Sequence, residues 1–264
     1  MTKLPISACI ITLNEANNIA DCIKSMDFVS EIIVLDSFSD DDTCKIAESL
    51  GAKVYKQKFL GHIEQKNMAL SFASMEWVLA LDADERLSPE LKASILNIFQ
   101  NPLRFDGYRF NRSTWYVTRW IKHGRFYPDK QLRLFRRTKA VWGGTNPHDK
   151  IMLTGKFKDV PQDILHYSYE NIFDHVKTSN HFSSIQAKHI ATANVTQFPI
   201  LKMMAKSIWT FMESYFLRLG FLDGREGLII SWISSFSMLI RYAKVYEISM
   251  SRSKSTGNQS KHEE

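Results

Sequence analysis

Two carboxylates one residue apart close an apolar run at Leu81-Asp82-Ala83-Asp84-Glu85. At a strand end such a pair converges as the chain turns. It suits a hard divalent cation held through oxygen, with substrate phosphates filling the rest of the shell. A lone D-x-D also reads as a solvated acidic turn that caps the next helix, so its neighbours decide its meaning. A second polar cluster, Asp36-Ser37-Phe38-Ser39-Asp40-Asp41-Asp42-Thr43, follows the apolar Ile32–Leu35. Asp36 there could accept a hydrogen bond from a base N–H, and Ser37 and Ser39 offer hydroxyls. Ser39 or Asp40 also reads as a helix N-cap. Thr12-Leu13-Asn14-Glu15 follows the first apolar run and, taken alone, reads as a helix cap at Asn14.

The elements that must position these clusters alternate. Ile6–Thr12, Ile32–Leu35, Lys53–Tyr55 and Trp77–Leu81 read as strands. Between them, Ile19, Cys22, Ile23 and Met26 recur at helical spacing, Ser39–Asp42 opens a helix ending near Gly51, and His62–Ala73 is helical. Ser88-Pro89-Glu90 opens a further helix, with serine at the N-cap and proline at the first turn. Such alternation implies βαβ units and a mainly parallel sheet, whose ligands bind at the carboxyl ends of the strands. All three polar clusters fall at such ends.

The chain has 264 residues with 44% hydrophobic, 12% aromatic and 23% charged side chains, the composition of a globular protein. Its charge is uneven. Residues 1–100 carry 9 Lys+Arg against 15 Asp+Glu, whereas 101–264 carry 25 against 13. A basic second half points to an anionic partner: phosphates, nucleic acid or a membrane surface. Phe105–Asn111 and Gln131–Phe135 read as strands and 170–192 as a helix. By strand alternation Arg133 and Arg137 share one face and Arg136 the other, where guanidinium forks match phosphate oxygens. Residues 200–248 mix aromatic and basic residues, the composition of amphipathic helices at a membrane interface or packed on another body. Cys9, Cys22 and Cys44 have neither metal-ligand spacing nor a disulfide framework, which suits a reducing compartment. No long apolar stretch follows Met1 and no uninterrupted apolar run reaches the roughly 18 residues of a spanning helix. The expected location is therefore cytoplasmic, with membrane contact left open.

In order, strand-TLNE, strand-DSFSDDDT, helix with Gln65-Lys66-Asn67 and strand-LDADE resemble family 2 glycosyltransferases. The resemblance runs on through Phe126–Arg137, Trp142-Gly143-Gly144, Pro147-His148-Asp149, Leu219–Gly227 and Arg241–Lys244. It is similar to a branch acting on the lipopolysaccharide inner core and covers about residues 4–248. It implies an α/β fold of the GT-A type, Rossmann-like, with a mainly parallel central sheet and a C-terminal helical, possibly membrane-associated extension. The implied organisation is a catalytic domain over 1–195 (donor half 1–100, acceptor half 101–195). An amphipathic helical segment would follow over 196–250, and a disordered tail over 251–264.

Carried over by position, the resemblance places Thr12, Asn14 and Glu15 at the nucleotide base and ribose, and Asp36 against the uracil N3–H. Lys66 would lie near the base or diphosphate, Asp82 at the ribose, and Asp84 at Mg²⁺ or Mn²⁺. His166 sits where related enzymes supply a further metal ligand. An acceptor hydroxyl needs a general base. Asp149 is the candidate, although glutamate commonly follows the histidine in that branch; Asp129 and Glu170 are alternatives. Arg133, Arg136 and Asp129 would meet phosphate or acceptor. The activity implied is inverting transfer of a hexose such as glucose from a UDP-sugar to an inner-core lipopolysaccharide sugar. The resemblance adds peripheral association with the inner membrane. The rival acceptors are a capsule, a protein or a polyprenyl phosphate. A nucleotidyltransferase is disfavoured because Thr12–Ala16 holds neither glycine nor a basic residue. A non-catalytic protein binding a membrane surface would account for the basic half but not for clustered strand-end carboxylates, and no nucleic-acid motif is present.

Overall fold

In the computed structural model, residues 3–146, 148–192 and 200–259 are described. The chain divides into two compact units, Met1–Thr114 with Pro128–Ser168, and Trp115–Tyr127 with Tyr169–Glu264. In the first unit the alternation continues as read: β1 (Leu4–Thr12), α1 (Ile19–Ser25), β2 (Val29–Asp36), α2 (Thr43–Ser49), β3 (Lys53–Lys56), α3 (His62–Ser71) and β4 (Trp77–Asp82). Then come β5 (Glu85–Leu87), α4 (Pro89–Phe99), β6 (Gly107–Tyr116), β7 (Arg119–Trp120), β8 (Asp129–Arg136), β9 (Ala140–Thr145), β10 (His148–Leu153) and β11 (Phe157–Tyr169). Part of β6, all of β7 and the last residue of β11 fall in the second unit. The main sheet runs β3-β2-β1-β4-β8-β6-β11-β5. It is parallel from β3 to β4, and β8 pairs antiparallel with both β4 and β6.

The parallel strands are covered on both faces, which is why they read as near-continuous apolar runs. Ile6, Ala8, Ile10, Val34, Leu79 and Leu81 pack with α1, α2 and α4. Their alternates Cys9, Ile33, Leu35, Val78 and Ala80 pack with α3 and Trp142. Ser88 caps α4 as expected, its Oγ accepting from Leu91 N at 3.1 Å. Asn14 does not cap α1. It sits at φ +56°, in the left-handed region that asparagine tolerates. Its Oδ1 accepts instead from Asp40 N at 3.0 Å, and Asn18 precedes the helix.

The second unit holds α5 (Ile172–Thr192), α6 (Ile200–Met212) and α7 (Gly224–Gln259), grouped with residues 115–127. The compact sheet unit thus ends at Ser168, with α5 outside it, whereas the sequence reading extends the catalytic domain to 195; that boundary lies outside the described residues. Helix α7 runs on to Gln259, through the first nine residues of the segment expected to be disordered. Extending an existing helix avoids the cost of nucleation. Residues 260–264 lie outside the described part.

His175 of α5 is buried beside Tyr116, whose hydroxyl lies 2.9 Å from Nδ1. The Phe126 and Tyr169 rings also face it. Burial pushes the imidazole down to about 4, so the fold holds it neutral. The unfolded chain takes up a proton near the ordinary value of 6.5. Its contribution is therefore intact above about pH 6.5 and is lost progressively as pH falls toward 4. Between pH 7.5 and 5 we expect the denaturant-unfolding free energy of this unit to drop by about 2 kcal/mol through His175 alone. His175→Gln, which keeps a partner for Tyr116, should flatten that slope. An unchanged slope would contradict the assignment.

Candidate active site

Parallel register brings the polar clusters to one edge of the sheet. Thr12 is opposite Asp36, and Ile11 is opposite Asp82. Asp36 is fully buried. Its Oδ2 accepts from Ser39 N at 2.9 Å and its Oδ1 from Ser39 Oγ at 2.5 Å. The loops after β1 and β2 are laced together. Asn14 N donates to Ser39 Oγ, Glu15 N to Thr43 Oγ1 and Ala16 N to Asp41 Oδ2. Asn14 and Asp36 thus shape the edge itself. The Cys44 side chain also bonds the Asp36 carboxylate, so an incoming N–H would share it with these partners. Thr12 Oγ1 is buried at this edge with no hydrogen-bond partner.

The turn after β4 is held by β5, which pairs antiparallel with β11 so that His166 stands opposite Glu85. Tyr167 N donates to Asp84 O at 3.0 Å. This places His166 Nε2 3.0 Å from Asp84 Oδ2. Burial works against charge on His166, but Asp84 outweighs it and shifts the imidazole upward. Glu85, a residue the sequence reading passed over, is fully buried and anchors the turn. Its Oε2 accepts from Asp82 N at 3.0 Å, and its Oε1 from Arg112 Nη1 at 2.9 Å and Arg133 Nη2 at 3.0 Å.

Beneath the edge runs a charge network. Lys66 Nζ lies 3.1 Å from Asp82 Oδ1 and 2.9 Å from Asp149 Oδ2. Arg133 Nη2 reaches Asp82 Oδ2 at 3.3 Å. Burial alone would favour neutral Asp82, but Lys66, Arg133 and Arg112 hold its carboxyl far below the usual range. Burial likewise opposes charge on Arg133, and Glu85 and Asp82 outweigh it. Its Nε and Nη1 are buried without hydrogen-bond partners. Arg133 also borders a cavity of about 10 Å³, room for one water.

Asp149 reaches Lys66 because the β9–β10 hairpin is fixed to α3. Asn67 Nδ2 donates to Trp142 O at 2.9 Å, while its Oδ1 accepts from Trp142 N at 3.0 Å. Asn146 Oδ1 accepts from Ile63 N nearer the start of α3. The Trp142 ring then lies 4.6 Å from Lys66 Nζ. Asp149 stands opposite Gly144 in the hairpin.

The structure brings together Asp82, Lys66, Asp149 and Arg133 in one network, and Asp84 with His166 one turn away. It keeps Arg136 out. That side chain pairs with Glu76 and Asp106 and stacks over Trp77. Arg137 leaves β8 for a short turn, so it does not share a strand face with Arg133. Asp129 is engaged by Arg112 at 2.6 Å and by Gln131 at 2.8 Å. Glu170 belongs to the other unit. Besides Glu85, the reading missed Arg112 and the clamp by Asn67. Only Glu85 carried a local signal, its place directly after the D-x-D.

The residues fit a divalent cation. Among the described residues no group of three His, Cys, Asp or Glu side chains converges, so protein donors stop at the Asp84–His166 pair. One carboxylate and one imidazole would leave most of a six-fold shell for phosphate oxygens and water; the oxygen donors suit Mg²⁺ or Mn²⁺, and the imidazole is the softer donor.

The sequence profile of glycosyl transferase family 2 matches residues 7–159. An uncharacterized glycosyltransferase of Rickettsia felis is 36% identical over 92% of this chain and 89% of its own. The lipopolysaccharide core biosynthesis glycosyltransferase LpsC of Rhizobium meliloti is 27% identical over 93% of both chains. Among solved structures, S. aureus TarS is 17% identical, covering 89% of this chain and 48% of its own, with a TM-score of 0.47.

Proposed function

The chain belongs to glycosyl transferase family 2 and is a glycosyltransferase, and on that premise we propose that it moves a hexose from a UDP-sugar to an inner-core lipopolysaccharide sugar. The observation that carries the donor side is the Asp84–His166 pair at 3.0 Å, on the same sheet edge as Asp36 and Asp82. The acceptor class is supported by likeness to LpsC along almost the whole chain.

In this reading the edge formed by Thr12, Asn14, Glu15 and Asp36 takes the uridine, with Asp36 accepting from the base and Asp82 facing the ribose. Asp84 and His166 hold Mg²⁺ or Mn²⁺. When bound, the ion offsets the negative charge that grows on the departing diphosphate. Lys66 adds a second cation. It is shared between Asp82 and Asp149, so a diphosphate that draws Nζ toward itself loosens Asp149 Oδ2. Asp149 then takes the proton of the acceptor hydroxyl as its oxygen attacks the anomeric carbon. The bond to the diphosphate breaks on the opposite side, UDP leaves, and the centre inverts. The three cysteines are free thiols, in keeping with action on the cytoplasmic side of the inner membrane.

Thermal unfolding with UDP and Mn²⁺ tests the donor site. Together, at a hundred times the dissociation constant, they should stabilise the protein by about 2.7 kcal/mol, well beyond either alone. Equal stabilisation by UDP with and without a chelator would refute the Asp84–His166 assignment.

A further inference from the structure

A helix pair in water buries its apolar face and shows its polar one. Helices α6 and α7 do the reverse near the turn that joins them. Leu201, Met204, Ile208 and Met212 follow one another three or four residues apart along α6, and all are exposed, Ile208 at 60%. Trp209 flanks that row. On α7, Leu228, Trp232 and Phe236 recur every fourth residue and are exposed, Trp232 at 59%.

Part of the inward face is polar and small. Ser207 Oγ donates to Ser235 O at 2.8 Å, and Ser235 Oγ donates to Ser207 O at 2.9 Å. The Ser214 and Ser231 hydroxyls meet at 2.8 Å. A side chain at Gly227 would collide with the Gly220 carbonyl, so the backbones approach closely. Apolar contact is added where Phe211 packs on Trp232, where Ile230 is buried with Tyr116 and Ile121, and at the far end, where Met203, Met238 and Tyr242 pack with Ala187 of α5. Small residues and hydroxyl pairs between helices, with large apolar side chains outside, form the pattern of helices solvated by hydrocarbon.

Two further observations select the occupant and its depth. Residues 200–259 carry eight Lys+Arg against four Asp+Glu, which suits an anionic surface. The window Gly220–Ser251 is long and apolar enough to span a bilayer, yet its start is tied to charge. Asp223 accepts from Lys122 N at 3.1 Å and His123 N at 2.8 Å, and Arg125 pairs with Glu213 at 2.7 Å. Only 14 uncharged residues, 227–240, lie between Glu226 and Arg241, so a span of about 20 residues would draw charge from one end or the other into hydrocarbon, at high cost.

We propose that the α6–α7 hairpin lies flat in the interface of an anionic bilayer, its two apolar rows among the acyl chains and its serines inside. This deepens the reading that the acceptor is a membrane glycolipid and rests on it only for purpose, since the surface stands without any reaction.

The test uses the full chain with phosphatidylglycerol–phosphatidylethanolamine vesicles carrying acyl-chain-brominated lipid. The protein should float with the vesicles, and bromine should quench Trp209 and Trp232, an effect lost in Trp209→Phe/Trp232→Phe. Phosphatidylcholine vesicles should bind several-fold more weakly. Ile208→Asp/Trp232→Asp, at two exposed sites, should reduce partitioning at least ten-fold while stabilisation by UDP and Mn²⁺ stays intact. Two results would overturn the proposal. One is vesicle binding without bromine quenching. The other is a soluble protein that forms concentration-dependent dimers, which would assign the rows to a second copy. Should the aspartate variant misfold, quenching in the unmodified protein decides alone. Loss of UDP stabilisation with quenching retained would sink the donor site and spare the membrane surface.

Discussion

Asp84→Asn is expected to lower metal-dependent transfer by on the order of 10³-fold, about 4 kcal/mol of transition-state stabilisation. Asparagine keeps the size of the side chain and still offers an oxygen toward His166 Nε2, now 3.0 Å from the carboxylate. What it removes is the negative charge that, on the proposed assignment, would retain a divalent cation against water. The loss should therefore fall on kcat and on the metal concentration needed for half-maximal rate. The turn should hold, because Asp84 lies outside the Glu85–Arg112–Arg133 anchor, and any loss of stability should appear at the lower pH where Asp84 supports protonated His166. Initial rates across a Mn²⁺ titration check this. A variant with full rate at ordinary metal concentration would remove Asp84 from the ion site.

Asp149→Asn should lower kcat by roughly 10²–10⁴-fold, the range for loss of a general base. UDP binding should persist, since the edge built by Asp36, Ser39 and Asn14 does not use Asp149. Asp149→Glu should recover part of the rate, because it restores a carboxylate on the β9–β10 hairpin that Asn67 fixes to α3. Single-turnover rates beside UDP affinity separate the two effects. If Asp149→Asn weakens UDP binding in proportion to rate, the residue positions Lys66 and is not the base.

The parallel first half of the sheet was legible for a physical reason. Parallel strands covered on both faces must be apolar throughout, so a polar cluster directly after one marks its carboxyl end. Thr12, Asp36 and Asp82 could be placed on one edge from that rule, and the register aligns them. Local grammar also read Ser88 and Pro89 correctly. It misread Asn14, because a cap and a loop lace use the same side chain. Only the approach of Asp40, 26 residues away, distinguishes them.

The anchors of the site were not legible because they come from distant chain. Arg112 and Arg133 meet Glu85 only once β6 and β8 are in place, 27 and 48 residues on. Strand alternation put Arg136 on a different face from Arg133 but could not say which face carried the site. The structure gives Arg133 to Asp82 and Glu85, and Arg136 to Glu76 and Asp106. The basic half of the chain is therefore split. Arg112 and Arg133 offset buried carboxylates, and most of the excess lies in residues 101–199, with 16 Lys+Arg against 7 Asp+Glu, rather than in the helical end.

The most direct test of the central claim is the product itself. Purified protein would be incubated with Mn²⁺, a panel of UDP-sugars and defined inner-core lipopolysaccharide acceptors, with mass spectrometry of the acceptor. The account predicts a gain of one hexose from one UDP-sugar, an inverted anomeric linkage by NMR, and no gain with chelator or with Asp84→Asn. Transfer that survives both, or proceeds with retention of configuration, would contradict it.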